Sequence, residues 1–66
     1  MKFTINNQEY EAAPGATLDD VLKAHGIGGP GTAVAIGTKV IRRTDYASTV
    51  LSEGDKVLVI RAACGG

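Results

Sequence analysis

The stretch Lys56-Val57-Leu58-Val59-Ile60-Arg61-Ala62-Ala63-Cys64-Gly65-Gly66 is the strongest strand of the sequence followed by a run of small residues. Successive side chains of a strand point to opposite faces, so Val57 and Val59 share one face while Leu58 and Ile60 share the other. A strand that is apolar on both faces needs cover on both. The rest of the sequence offers a single amphipathic helix. One face of the sheet around this strand is therefore expected to lack cover from within the chain.

Working outward, Glu53-Gly54-Asp55 reads as the turn before that strand. Residues 42–49 are polar and irregular, with Tyr46 as the anchor beneath them. Lys39-Val40-Ile41 and Thr32-Ala33-Val34-Ala35-Ile36 read as two strands joined by a tight turn at Gly37-Thr38. Gly28-Gly29-Pro30-Gly31 is a connector. It follows a helix and precedes a strand, the reverse of the order a phosphate-binding loop requires.

The helix is predicted over roughly residues 18–25. Leu18, Val21 and Leu22 fall at i, i+3 and i+4 and share a face. Thr17 is the expected N-cap, Asp19 and Asp20 suit the positive end of the helix dipole, and Gly26 suits the position just past the end. His25 reads as a helix C-terminal residue. Before the helix, Ala13-Pro14-Gly15-Ala16 is a turn, with Pro presetting φ and Gly permitting a positive one. Residues 2–6 alternate, with Phe3 and Ile5 on one face, and a second alternating run covers Glu9-Tyr10-Glu11-Ala12. Asn6-Asn7 between them marks a hairpin turn.

The order hairpin, helix, two strands, final strand is an α+β arrangement: one mixed sheet with one helix packed on a single face. Phe3, Ile5, Leu18, Val21, Leu22, Val34, Ile36, Val57 and Val59 are the expected core. Leu58 and Ile60 fall on the uncovered face, unless the polar segment 42–52 folds over them. An exposed apolar pair beside a reactive tail is a candidate docking face for a partner.

Composition narrows the function. Sixteen Val, Ile, Leu and Phe side chains in 66 residues are enough to order one small domain, yet leave little room for a walled, water-excluding active site. Seven basic residues balance seven acidic ones, which gives no general attraction to nucleic acid or an anionic membrane. One cysteine and one histidine provide neither an internal disulfide nor a thiolate metal site. The amino terminus does not read as a signal peptide, and no apolar run approaches the roughly 20 residues that span a bilayer. A cytoplasmic, monomeric protein without bound cofactor or metal is the expectation.

Residues 62–66 are the expected tail beyond a domain of residues 1–61. Two glycines lack Cβ atoms, so such a tail is thin enough to enter a narrow channel on another protein. The reactive group at its tip is the α-carboxylate of Gly66, which is inert to nucleophiles until it gains a leaving group. Adenylation by ATP is the common biological solution. Cys64 lies near that group, and its plain reading is an incidental exposed thiol. Arg42, Arg43 and Arg61 suit either an acidic patch on a partner or plain solvation.

Taken together, the chain resembles the sulfur carrier family of thiamine biosynthesis, ThiS, over residues 1–66. The resemblance rests on Phe3-Thr4-Ile5-Asn6, Gly15-Ala16-Thr17-Leu18 and Val21-Leu22. It continues through Ala33-Val34-Ala35-Ile36, Val40-Ile41-Arg42-Arg43 and Leu51-Ser52-Glu53-Gly54-Asp55-Lys56-Val57 to the final Gly65-Gly66. Gly37-Thr38 stands where the family commonly has Asn-Gly, Arg42 where it has Pro, and Tyr46 where it has Trp.

The resemblance implies a ubiquitin-like β-grasp fold with a four- to five-stranded mixed sheet. It implies an adenylating enzyme of the ubiquitin-activating type that uses ATP and Mg²⁺, a sulfur donor protein, and thiazole synthase as acceptor. Gly66 would carry the sulfur as a thiocarboxylate, with Gly65 and Cys64 entering the partner's site, and the chain would be a co-substrate rather than an enzyme. A molybdopterin-type sulfur carrier, a ubiquitin-like protein modifier and a plain binding module remain as alternatives.

Overall fold

The computed structural model describes residues 1–29 and 31–61. The predicted tail, with Cys64, Gly65 and Gly66, lies outside the described residues.

Strand β1 (Lys2–Ile5) pairs antiparallel with β2 (Gln8–Glu11), placing Phe3 opposite Tyr10 and Ile5 opposite Gln8. The two-residue turn between them holds Asn6 at φ 51° and Asn7 at φ 69°. That pair of positive angles matches the right-handed twist of a hairpin, and asparagine tolerates it. Gly15, at φ +88°, completes the next turn, where the Ala16 N–H donates to the Ala13 carbonyl at 3.1 Å.

Helix α1 (Leu18–Ala24) begins at Thr17, whose hydroxyl accepts from the Asp20 N–H at 3.1 Å. The Asp20 carboxylate in turn accepts from the Thr17 N–H at 3.1 Å, so two otherwise unpaired donors are satisfied reciprocally. The helix is one residue shorter than predicted. His25 is its C-cap, and Gly26 at φ +66° turns the chain away. Strand β3 (Thr32–Ile36) follows, then β4 (Lys39–Ile41), a 3-10 helix (Arg43–Ser48) and β5 (Lys56–Arg61).

The five strands form one sheet in the order β2-β1-β5-β3-β4. Neighbours are antiparallel except β1 and β5, which run parallel with Thr4 beside Lys56 and Ile5 beside Val57. The strand apolar on both faces thus occupies the centre. Leu18, Val21 and Leu22 of α1 pack with Phe3, Ile5, Val34 and Val57 into one core. All seven were expected there.

Two expectations need correction. Ile36 and Val59 are only partly buried at the margin of the core, while Ile41, Tyr46 and Leu51 are fully part of it. Segment 42–49, expected to be irregular, instead holds the 3-10 helix, with Tyr46 anchored beneath it as expected. Its 3-10 turns are closed by Asp45 N–H to the Arg42 carbonyl at 2.8 Å, with Ser48 and Thr49 hydroxyls both donating to the Asp45 carbonyl. The segment packs beside α1, tied by Leu18 N–H to the Thr49 carbonyl and Leu51 N–H to the Ala16 carbonyl. It therefore covers the helix side and leaves the other face of the sheet bare.

Candidate functional site

On the bare face, alternation along β5 sets Leu58 and Ile60 outward, 45% and 52% exposed. Their neighbours on β3 are small: Ala35 stands beside Leu58 and Ala33 beside Ile60. Beyond Ala35 lies Val40 of β4, 70% exposed. Because alanines separate the three larger side chains, Val40, Leu58 and Ile60 stand proud of an apolar surface spread over three strands. Across β1 and β2 the same face turns charged. Lys56 lies beside Thr4, Thr4 beside Glu9, and Lys2 beside Glu11. Half of the face is thus apolar and half carries both signs of charge.

Leu58 and Ile60 sit together as the sequence indicated. Val40 was not singled out, because its facing depends on how the turn at Gly37, φ +62°, sets the parity of β4. The alternation Lys39, Val40, Ile41 carries the signal once Ile41 is known to be buried.

The end of β5 receives a further contact from Asn6. Its backbone N–H donates to the Val57 carbonyl at 2.9 Å. Its side-chain Oδ1 accepts from the Val59 N–H at 2.8 Å, and its Nδ2 donates to the Val59 carbonyl at 3.3 Å. The sequence marks Asn6 as the end of the first alternating run and a turn residue, without indicating this contact. Beside it, the loop 26–29, Val59 and Arg61 border a cleft of about 510 Å³ on the helix side.

One glycine of that loop, Gly28, has a packing cause. Gly28 is at φ +88°, and a Cβ there would lie 3.2 Å from Leu22 Cδ1. Arg43 closes the loop from the other side, donating from Nη1 and Nη2 to the carbonyls of Gly28 and Gly29, each at 3.0 Å, while its guanidinium lies 5.9 Å from the Tyr46 ring centre. Arg43 is therefore engaged within the chain rather than free for a partner. The His25 ring lies 4.5 Å from that of Tyr10, which stacks on Phe3, consistent with a packing role. Among the described residues no helix is long and apolar enough to cross a membrane. Cys64, Gly65 and Gly66 lie beyond Arg61, the last described residue.

The family model of the ThiS family matches residues 3–66. The sulfur carrier protein ThiS of Escherichia coli (strain K12) is 27% identical over 66 residues, spanning the whole of both chains. A thiazole synthase of Magnetococcus marinus is 32% identical over 66 residues, which are all of this chain and 20% of that longer protein. The crystal structure of a thiamine biosynthesis protein (ThiS) from Geobacter metallireducens superposes with a TM-score of 0.84 at 22% identity, covering both chains fully. That likeness gives the fold a name, the ubiquitin-like β-grasp.

Proposed function

The chain belongs to the ThiS family, and from that premise we propose that it carries sulfur for thiamine biosynthesis on the carboxyl group of Gly66. The observation that carries the reading is that one strand does two things. β5 presents Leu58 and Ile60 on the uncovered face and leads directly into residues 62–66. A partner that grips that face is placed beside the tail. Docking there is then an intramolecular prelude to chemistry at the tip.

The chemistry follows from the carboxylate. An adenylating enzyme of the ubiquitin-activating type, using ATP and Mg²⁺, joins AMP to Gly66 and releases pyrophosphate. A persulfide on the sulfur donor protein then displaces AMP to form an acyl disulfide with Gly66. A thiol cleaves its S–S bond, joining the donor's sulfur in a disulfide and leaving the carboxyl group as a thiocarboxylate. Thiazole synthase takes that sulfur, and the carrier returns to its carboxylate form as a recycled co-substrate rather than an enzyme. The match of the whole chain to part of a thiazole synthase supports this acceptor. Gly65 and Cys64 enter the activating site ahead of the fold, and Gly65 keeps the leading end narrow.

Intact-protein mass spectrometry tests the reading. After incubation with the activating enzyme, ATP and a sulfur donor, the chain should exchange one terminal oxygen for sulfur. A variant with one residue added after Gly66 should not, because its carboxylate is out of register. Cys64→Ser should load normally. A wild-type chain that stays unmodified where the Escherichia coli carrier is loaded would refute the carrier function. An isopeptide bond to a lysine would make it a modifier instead.

A further inference from the structure

We propose that Asn6 is a positioning residue for the tail: its side-chain carboxamide takes the place of a missing peptide group and fixes where the body of the domain ends. The proposal rests on the carrier function proposed above.

The geometry begins with a mismatch of strand lengths. β5 runs from Lys56 to Arg61, but β1 pairs with it only at Lys56 and Val57. On the other side β3 pairs with β5 from Val57 through Arg61. Beyond Val57, then, β5 is held along one edge by β3 and has no strand along the other among the described residues. In a parallel ladder, the next rungs would join the Val59 N–H to a backbone carbonyl of β1 and the Val59 carbonyl to a backbone N–H further on. The chain cannot supply them, because Asn6 and Asn7 have already turned away at φ 51° and 69°.

The carboxamide of Asn6 supplies both. Oδ1 accepts from the Val59 N–H at 2.8 Å and Nδ2 donates to the Val59 carbonyl at 3.3 Å. An amide side chain has the same donor and acceptor as a peptide unit. Glycine would satisfy the turn equally well, so the turn alone does not require asparagine. The carboxamide accounts for the residue at this position.

The consequence concerns the tether. With the clamp, β5 is held on both edges as far as Val59 and by β3 at Ile60 and Arg61. Without the clamp, β5 keeps the β3 edge only from Leu58 onward, and the strand that leads into the tail is held less firmly. A less firmly held base lets Gly66 sample more positions once the sheet face has docked. The loss therefore appears in the step after docking.

The test uses the full chain with the activating enzyme and ATP. Asn6→Gly keeps the positive-φ turn and removes both side-chain bonds. Asn6→Asp keeps the acceptor and removes the donor. Thr17→Ala, a change of stability at the helix cap, serves as the control. In Asn6→Gly the Val59 amide should exchange with solvent faster than in the wild type. Its kcat for adenylation should fall about tenfold, with KM within about twofold and Asn6→Asp between the two. A kcat for fully folded Asn6→Gly within about twofold of wild type, or a fall matched by Thr17→Ala, overturns the proposal. A wild-type chain that is not adenylated at all refutes the carrier function instead. In that case an unchanged Val59 exchange rate in Asn6→Gly still overturns the clamp.

Discussion

Thr17 and Asp20 show how much a single pair of side chains decides in so small a chain. Each caps the other's backbone N–H at 3.1 Å, and the helix they start carries three core residues. Replacing Thr17 with Ala should cost about 1 kcal/mol, read as a shift in the urea midpoint. The Asp20 carboxyl is held below its ordinary value of 3.8 first by the Thr17 N–H, then by the Thr17 hydroxyl, with a smaller pull from Lys23. A carboxyl depressed in the folded state contributes stability above its unfolded value and loses it as pH falls through the folded one. Asp20→Asn should therefore flatten the decline of stability below about pH 4, measured by denaturation across acid pH. The cap, the hairpin asparagines and the stop at Gly26 were all legible locally, because each acts on backbone within a few residues. The grip of Asn6 on Val59 was not, because its partner is 53 residues away.

At the scale of the element, the proposed docking and the proposed chemistry both depend on β5. Changing Leu58 and Ile60 together to Ser should raise the KM for adenylation about tenfold while kcat holds. The fold should survive, since both side chains already stand substantially in water. Equal wild-type and variant KM values would remove the docking face from the scheme. That β5 is apolar on both faces was plain in Val57-Leu58-Val59-Ile60, and that property suits a central strand. Val40 escaped notice because its side of the sheet is set by a turn, not by its own neighbours. The 3-10 helix escaped too, since Arg43–Ser48 shows no apolar period and is shaped by hydroxyls bonding the Asp45 carbonyl.

For the molecule as a whole, stability rests on one core with little reserve. Leu22 is nearly fully buried in it and also supports the close approach of Gly28. Leu22→Ala should cost roughly 2–5 kcal/mol, a large share of the few kcal/mol available to a domain of this size. Its urea transition should move to far lower denaturant, and a shift below about 1 kcal/mol would show that the core collapses around the gap. The position of β5 between two neighbours has one more consequence, a mechanical one. A partner that draws the tail along the strand axis loads the ladder bonds to β1 and β3 sideways, all at once, rather than peeling them one after another. Bonds loaded together share the force, so the sheet should resist a pull on the end of β5 better than it resists peeling.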